Sequence, residues 1–251
     1  MYSSFAEFYD SLTTNISYEA RAKYFKKLIE KFFGKAELVL DLACGTGNLS
    51  FELEKLGYDV TAVDISEEML MTAREKAMTE ESHILFLCQD MSEIDLYGTM
   101  DAVVCALDSL NHLTNGEDVG KTFLRLSNFV TDNGVFIFDV NTLYKHQRVL
   151  GNNTFVYDTD EVYCVWQNNL SDEDDSVVDI CLDFFETDEE DPDCYYRSQE
   201  IFSEKAYSID ELEKWLNEAE FDIKAIYDED SENPPTDISQ RLIIVAQRRK
   251  R

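Results

Sequence analysis

Five short apolar runs alternate with amphipathic segments in the first 140 residues, and this alternation is the strongest constraint on the fold. The runs are nearly continuous in apolar residues, like strands buried on both faces, and span 37–42, 59–65, 83–90, 100–107 and 134–140. The segments with helical spacing span 18–33, 49–56, 67–78 and 120–129. A strand, a helix and a strand repeated in this order predict a parallel α/β sheet with right-handed crossovers.

The pattern changes after residue 150, where aromatic and β-branched residues alternate with polar ones between acidic turns. This alternation predicts an antiparallel meander of about four strands. Helical and apolar patterns then return and predict one helix and two strands, at 208–221, 221–228 and 241–248. We therefore expect an α/β domain made of 1–150 and 207–251, interrupted by an antiparallel β insert at 151–206.

The net charge of −30, from 22 basic and 52 acidic residues, restricts the partners of the chain. A polyanion of this strength is repelled by phosphate backbones and by anionic lipid surfaces, so we expect neither a nucleic acid nor a membrane as partner. No apolar run approaches the roughly 20 residues that span a bilayer. The composition, with 44% hydrophobic residues, is that of a globular protein, which we expect to be a monomer or a homodimer.

The cysteines and the N-terminus indicate a reducing compartment. None of the six cysteines stands in a CxxC pair, and three of them lie in or beside predicted buried strands. The N-terminus has no basic segment followed by an apolar one, as a signal peptide has. We therefore expect a cytoplasmic protein with reduced thiols.

The stretch VLDLACGTGNLS, residues 39–50, joins a strand to a helix through a glycine turn. Such a turn lets backbone N–H groups approach a nucleotide-like ligand closely. Asp41, at the strand end, is unfavourable beside the pyrophosphate of a dinucleotide but favourable beside an ammonium or a sulfonium. Asp64 closes the second strand, where a carboxylate can accept both ribose hydroxyls. Ser50 stands at the third glycine position of a dinucleotide motif, which further disfavours an NAD-dependent oxidoreductase.

Five motifs in this order resemble those of the class I S-adenosylmethionine (SAM)-dependent methyltransferases that act on small molecules. The glycine turn VLDLACGTGNLS matches the form D-x-x-x-G-x-G, and AVDISEEML resembles the acidic ribose-binding motif. FLCQDM resembles the adenine-binding segment, and CALDSLNHL the strand exit beside the reacting methyl. The opening FAEFYDSL is similar to a segment whose tyrosine closes over the cofactor. The resemblance covers roughly residues 5–140.

The resemblance implies a fold as well as a cofactor. The expected fold is α/β: a Rossmann-like seven-stranded sheet, mostly parallel with an antiparallel last strand, flanked by helices. An antiparallel β-meander inserted after the fifth strand is expected to act as a substrate lid over the active site. The implied cofactor is S-adenosylmethionine.

The resemblance also implies the residues that contact this cofactor. Those expected near its methionine portion are Asp41, Ala43, Cys44, Gly45 and Gly47, and Tyr9 is expected to lie over that end. Asp64 is expected to hold the ribose. Those expected around the adenine are Ile65, Met69, Gln89, Asp90 and Met91, and those on the sulfonium side are Leu107 and Asp108. Nothing in the sequence marks Cys44 as a nucleophile.

Several of these residues also fit other roles. Ile65 and Met69 fit the hydrophobic core equally well. Asp90 also fits the cap of the following turn, and Tyr9 also fits the packing of a helix.

Methyl transfer from SAM mainly requires alignment of the acceptor with the methyl group. An acceptor that must lose a proton also requires a base. His112 is the candidate base because its ordinary pKa lies near neutrality, although a capping or packing histidine has the same sequence signature. Asn111 and Asp108 are candidates to orient an amine or a hydroxyl. No metal site is expected, because the three histidines are far apart and lack ligand spacing.

We therefore expect a methyltransferase that acts on nitrogen or oxygen of a small molecule; the alternative is a non-catalytic protein that binds SAM or S-adenosylhomocysteine (SAH) and regulates a partner. Residues 151–206 hold 17 acidic residues against Arg197 and Lys205, which favours an amine over an anion. Tyr157, Tyr163 and Trp166 either form an aromatic box for the substrate or belong to the core of the insert.

Overall fold

The structure is a computed structural model that describes residues 3–159, 162–188, 191, 194–229 and 231–250. Its α-helices are α1 Ser3–Leu12, α2 Tyr18–Phe32, α3 Asn48–Lys55, α4 Glu67–Glu80, α5 Gly116–Leu126 and α6 Ile209–Glu218. The strands of its larger sheet are β1 Leu38–Leu42, β2 Asp59–Asp64, β3 Leu85–Cys88, β4 Met100–Cys105, β5 Val130–Asn141, β10 Phe221–Asp228 and β11 Arg241–Arg248. Those of the insert are β6 Thr154–Asp158, β7 Val162–Leu170, β8 Val177–Thr187 and β9 Tyr195–Lys205.

The larger sheet has seven strands in the order β10-β11-β5-β4-β1-β2-β3. The β1–β2, β2–β3, β1–β4 and β4–β5 pairs are parallel, whereas β11 is antiparallel to both β5 and β10. The predicted fold class, with its antiparallel last strand, is confirmed. The chain leaves β1 in one direction for β2 and β3 and returns on its other side as β4. This reversal opens a crevice at the carboxyl ends of β1 and β4, where open α/β sheets bind ligands.

Two helical layers cover the two faces of this sheet. Alternate strand residues point to opposite layers: Val39 packs into the core beneath α2, α3 and α4, and Leu40 packs into the core beneath α5 and α6. Asp41 follows the same alternation and points to the side of Val39, where α3 begins. The sheet thus directs a carboxylate, in place of an apolar side chain, at the first turn of α3.

Helix α5 begins at Gly116, four residues before the predicted start, and ends at Leu126 rather than at 129. Asn115 caps it by accepting the N–H of Glu117 at 3.1 Å, a side-chain cap that the apolar periodicity did not reveal. Gly116 is required for packing, because a Cβ on it would lie 2.7 Å from Cζ2 of Trp215 in α6. The predicted start was too late, because glycine lowers helix propensity and Gly116 therefore gave no sign of a helix. The close approach of Trp215 nevertheless requires a glycine at this position.

The insert is a four-stranded antiparallel sheet in the order β6-β7-β8-β9, as predicted. Its inner face carries an apolar cluster that includes Cys164, Ile180 and Phe184. Phe8 of α1 joins this cluster, with its ring centroid 5.7 Å from that of Phe184. Helix α1 therefore packs against the insert. Among the described residues, no helix combines the length and the apolar character needed to cross a membrane.

Candidate active site

The glycine turn lies at the carboxyl end of β1 and contains three left-handed residues: Ala43, Gly45 and Gly47 have φ of 62°, 55° and 81°. Gly47 is also confined by space, since a Cβ on it would lie 3.2 Å from the rings of Phe51 and Phe86. A Cβ on Gly45 would meet nothing within 4 Å. The side of the turn next to Gly45 is therefore open to a ligand, and its opposite side is packed.

Asp64 joins this turn to the end of β2. Its two carboxylate oxygens accept the backbone N–H groups of Gly45 at 2.7 Å and of Ser66 at 2.9 Å. Burial raises the pKa of Asp64, and these N–H donors and the nearby His112 oppose the rise. An aspartate held this way presents its remaining lone pairs in a fixed direction, as a pair of ribose hydroxyls requires.

Asp41 is only 1% exposed and lies beneath the turn. The hydroxyl of Ser50 donates to it at 2.5 Å, and burial raises the pKa of Asp41 to about 7, with the charge of Asp64 adding to the effect. Ser50 therefore stands at the third motif position because it satisfies a buried carboxyl. Asp41 supports the turn from below, and its contact with the cofactor stays a prediction.

Burial also raises the pKa of the Cys44 thiol well above its ordinary value, helped by the charges of Asp41 and Asp64. The thiol sulfur lies 3.7 Å from the carbonyl oxygen of Gly45. A thiol in this state is a poor nucleophile. Cys44 belongs to the turn as a packing residue.

The predicted adenine residues fall into two groups. Ile65, directly after Asp64, is 62% exposed and lies at the open edge, whereas Met69 is 6% exposed and buried on α4. The alternative role in the core therefore applies to Met69 and not to Ile65. Met91 is half-buried against the core beneath α5.

Gln89 and Asp90 hold the loop after β3. The Gln89 side-chain amide accepts the N–H of Asp95 at 2.8 Å and donates to its carbonyl at 3.2 Å. One oxygen of Asp90 accepts the N–H of Ser92 at 2.7 Å, so Asp90 does cap the following turn. Contacts of both residues with an adenine stay predictions.

The exit of β4 is a strained turn in which two consecutive residues are left-handed, Leu107 with φ of 59° and Asp108 with φ of 54°. Asp139 of β5 holds this turn by accepting both N–H groups, at 2.8 Å and 2.6 Å. Arg21 and Arg241 pair with Asp139 at 2.8 Å and 2.6 Å. Two non-glycine residues in this conformation cost energy that the surrounding contacts must offset, as is common at functional sites.

Asp108 extends this charge cluster into the crevice. Arg241 pairs with its carboxylate at 3.2 Å, the ammonium of Lys145 lies at 3.9 Å, and Asn141 donates to it. Burial alone would raise the pKa of Asp108, but the charges of Arg241, Lys145 and His112 hold it below its ordinary value. Asp108 is therefore an ionised carboxylate on the predicted sulfonium side.

His112 lies in the 3₁₀ turn Ser109–His112 that follows Asp108. The ring packs on Phe202 of the insert at a centroid distance of 5.1 Å, yet 34% of the side chain remains accessible. Burial lowers the pKa of His112, and the charges of Asp108 and Asp64 oppose this. The structure thus brings His112, Asp64 and Asp108 together at one crevice.

Tyr9 faces the same crevice from α1. Burial raises its pKa well above the ordinary value, and Tyr18 and Asp108 add to this, which places the phenol near both. Asp10, the next residue, accepts hydrogen bonds from the side chains of Thr46 at 2.7 Å and Asn48 at 2.8 Å. Helix α1 is therefore tied to the glycine turn, as a segment that closes over a cofactor would be.

The predicted substrate contact of Asn111 is wrong, and the structure chooses between the two roles left open for the aromatic side chains of the insert. The Asn111 side chain is fully engaged with backbone, since it accepts the N–H of Asn141 at 2.9 Å and donates to the carbonyl of Lys205 at 2.8 Å. Asn111 therefore joins β5 to β9 and does not orient a substrate. Tyr157 and Trp166 lie together on the inner face of the insert, 6.1 Å apart, whereas Tyr163 is on the outer face. Side chains on opposite faces of a sheet cannot form one aromatic box.

The crevice also contains charged residues that the sequence analysis missed, namely Arg21, Asp139, Lys145, His146, Glu204 and Arg241. Asp139 had a signal, because a carboxylate in the apolar run GVFIFDV is costly unless it is paired. Glu204 had a weaker sequence signal: it is an acidic residue at an inward-facing position of its strand, on the face that also carries Phe202. Their partners lie far away in the sequence and carried no local signal.

Among the described residues, no three histidine, cysteine or acidic side chains are arranged to hold a metal ion. The donors present fit SAM instead. An open glycine turn, a fixed carboxylate at Asp64 and an anionic side chain at Asp108 match the carboxylate, the ribose and the sulfonium of that molecule.

Comparisons with known proteins agree with this fit. Residues 39–134 match the family model described as a methyltransferase domain. A putative methyltransferase of Bacillus subtilis (strain 168) is 33% identical over 251 residues, which cover 100% of this chain and 98% of the relative. One of Geobacillus sp. (strain WCH70) is 32% identical over 248 residues, covering 98% and 99%.

A solved structure gives the same answer. The crystal structure of a SAM-dependent methyltransferase from Clostridium acetobutylicum ATCC 824 is 33% identical, covers 99% of both chains and superimposes with a TM-score of 0.88. These relatives favour an enzyme over a non-catalytic SAM-binding protein. The chain belongs to the S-adenosylmethionine-dependent methyltransferases, and its cofactor is SAM.

Proposed function

We propose that this methyltransferase transfers a methyl group to nitrogen or oxygen of a small molecule bound between the carboxyl edge of the sheet and the inner face of the insert. One observation carries the proposal: the His112 ring, with a third of its side chain accessible, packs on Phe202 of the insert and is close enough to Asp108 to respond to its charge. An accessible polar group at the junction of two sheets is the usual setting of a small-molecule site.

In this proposal the cofactor lies along the glycine turn. Asp64 holds the ribose, Ile65 lies against the adenine, and Asp108 faces the sulfonium. When bound, SAM supplies a methyl group that is already activated for displacement. The chain mainly aligns the acceptor with this methyl group, and alignment of this kind contributes roughly 7–11 kcal/mol in favourable cases.

His112 is the proposed base that takes a proton from the acceptor. Its lowered pKa keeps the imidazole neutral near pH 7, which is the form that accepts a proton. Phe202 and the rest of the inner face of 151–206 exclude water from the crevice, so the insert serves as the substrate lid.

An amine is the acceptor class that the charges favour. The insert holds 17 acidic residues against two basic ones, which attract cations and repel anions. A relative named glycine/sarcosine N-methyltransferase, from Aphanothece halophytica, supports the same class, with 33% identity over 141 residues that cover 54% of this chain and 51% of the relative. The six cysteines are all free thiols, which supports a cytoplasmic location.

The test has two stages. Calorimetric titration with SAM and SAH first measures cofactor binding. Methyl transfer from labelled SAM is then measured on glycine, sarcosine, amino sugars, small alcohols and a transfer RNA. Transfer to an amine or an alcohol, abolished or strongly reduced by His112→Gln with unchanged SAH affinity, supports the proposal. Transfer to the RNA alone, or equal rates in the variant, would overturn it.

A further inference from the structure

Three titratable side chains from separate elements meet between the α/β domain and the insert. His112 follows β4, His146 lies in the π-helical turn Lys145–Leu150 after β5, and Glu204 lies on β9. The two oxygens of Glu204 point at the two rings, with Oε1 3.7 Å from Nε2 of His112 and Oε2 3.7 Å from Nε2 of His146. A small adjustment of either ring brings these atoms within hydrogen-bond distance.

The hydrogen bond on the other side of His146 fixes its tautomer. Its Nδ1 lies 2.8 Å from the carbonyl of Ser176, which can only accept, so Nδ1 carries the proton. In the neutral ring Nε2 then has a lone pair directed toward Glu204. This nitrogen is buried and has no hydrogen-bond partner within the described part of the chain. A buried unpartnered nitrogen is costly, and a proton on Glu204 would satisfy it.

Charge balance identifies Glu204 as the carboxylate without a fixed cation. Asp139 pairs with Arg21 and Arg241, and Asp108 pairs with Arg241. Glu204, in contrast, has no lysine or arginine nitrogen within 4 Å among the residues that the structure describes. Its fixed donor is the amide of Asn141, at 3.1 Å. A carboxyl in this setting takes up a proton or pairs with an imidazolium.

We propose that His112, Glu204 and His146 form a proton-sharing chain that receives the proton released by the acceptor during methyl transfer. This inference rests on the proposed function. His112 is the member that meets the acceptor, because it is the accessible one. Glu204 and His146 are positioning residues that stabilise the proton on the chain.

The step balances as follows for an amine. The lone pair of the acceptor nitrogen forms the N–CH3 bond while the CH3–S bond breaks, and the electron pair of that bond remains on sulfur. The N–H proton passes to Nδ1 of His112, the ring nitrogen that does not face Glu204, and the resulting imidazolium presents its Nε2–H to Glu204. The proton of Glu204 moves to Nε2 of His146, so that the ionised Glu204 lies between two imidazolium rings. The proton leaves to water through the accessible part of His112 once the products depart.

Burial opposes a charge on each of the three members of this proton-sharing chain. Burial raises the pKa of Glu204 to about 8, with Asp108 raising it further and Lys145 and Arg241 opposing. Burial lowers the pKa of both histidines; Asp108 and Asp64 oppose this at His112, and the Ser176 carbonyl and Asp108 oppose it at His146, where Lys145 adds to the decrease. Because Glu204 lies 3.7 Å from each ring, we expect the three members to titrate as a coupled unit and not singly.

Histidine side-chain NMR tests the proton-sharing chain directly, because the protein has only three histidines. Each is assigned from its His→Gln variant, and the titration is run with SAH bound. The expected result is a common titration step that shifts the signals of His112 and His146 together. In Glu204→Gln the common step disappears. If the Glu204→Gln variant folds and binds SAH, unchanged titration midpoints of His112 and His146 would overturn the inference.

A second variant and a control complete the test. His146→Gln removes the member of the proton-sharing chain that is farthest from the acceptor, and it must shift the titration midpoint of His112. If Glu204→Gln does not fold, an unchanged midpoint of His112 in His146→Gln overturns the inference. Glu173→Gln, an exposed change in the same insert, must leave every midpoint in place. If the wild-type protein does not bind SAH, that result contradicts the proposed function itself and is distinct from a failure of the proton-sharing chain.

A kinetic test uses whichever acceptor gives the highest rate of methyl transfer among those proposed above. Glu204→Gln is expected to lower kcat about 100-fold at neutral pH while the KM for SAM stays constant. The rising limb of the pH–rate profile, which reports the group that must lose its proton, is expected to shift in the variant. Equal pH profiles of the wild type and the variant would overturn the proton-sharing role.

Discussion

The carboxylate of Asp64 accepts the backbone N–H of Gly45 at 2.7 Å, so the end of β2 holds the glycine turn that follows β1. Its other oxygen accepts the N–H of Ser66, at the start of α4. Asp64 therefore fixes two loops at the crevice, and the proposed ribose contact would use the lone pairs that remain.

Replacement of Asp64 by alanine is expected to weaken cofactor binding strongly. The change removes the proposed ribose acceptor and also frees the Gly45 N–H, and hydrogen bonds to a charged group contribute about 1.5–3 kcal/mol each. We expect SAM and SAH affinities to fall by at least about 100-fold in calorimetry. Asp59→Ala, an exposed change at the other end of β2, is the matched control. Near-normal SAH affinity in Asp64→Ala would contradict the ribose assignment.

Helix α1 should control how long the cofactor stays bound. Asp10 links α1 to Thr46 and Asn48 of the turn region and pairs with Lys76 at 2.5 Å. Asp10→Ala is expected to speed SAH dissociation about tenfold, which corresponds to about 1.4 kcal/mol, because Tyr9 is then less firmly held over the site. Stopped-flow measurement of SAH release checks this. Glu19→Ala, which removes a surface ion pair of α2, should leave the rate unchanged.

Asp41 should make the ligand-free protein less stable as pH rises. Its pKa is about 7 in the folded state against 3.8 ordinarily, so the folded chain keeps a proton that the unfolded chain has released. The stabilising proton is fully present below pH 4, and its contribution is lost as pH rises toward 7.

Asp41→Asn tests this pH dependence. An asparagine cannot ionise and still accepts the hydroxyl of Ser50, so the variant is expected to be more stable than the wild type at pH 8, by up to about 4 kcal/mol. The difference should shrink toward pH 4. Denaturant unfolding across this range measures it, with Asp59→Asn as an exposed control. Parallel stability curves for Asp41→Asn and the wild type would contradict the raised pKa.

Arg241 should be required for stability, because it is the shared partner of two enclosed carboxylates. Arg241→Met leaves Asp108 without its closest cation and Asp139 with Arg21 alone. Breaking a buried pair from one side costs about 3–5 kcal/mol, which we expect in denaturant unfolding. Arg249→Met removes an exposed pair with Asp222, so its cost should not exceed about 1 kcal/mol. Similar losses in both variants would indicate that the Asp108–Asp139 cluster is solvated.

The order of strands and helices along the chain, the insert and the glycine turn could all be predicted from the sequence. These follow from local patterns: apolar runs for buried strands, alternation for the meander, and glycines where backbone must be left-handed. The place of Asp64 was equally local, since a residue at the end of a parallel strand lies at the ligand-binding edge of the sheet. His112 was located for the same reason, although its role stays a proposal.

Which polar groups meet could be seen only in the folded protein. The pairing of Asp139 with Arg21 and Arg241, and the position of Glu204 between two histidines, join segments that lie 58 to 118 residues apart in the sequence. The tertiary structure also assigned Asn111 to backbone hydrogen bonds, where the sequence suggested a substrate contact. The physical reason is that apolar burial follows a local period, whereas a buried charge is stabilised by whichever partner the folded chain brings to it.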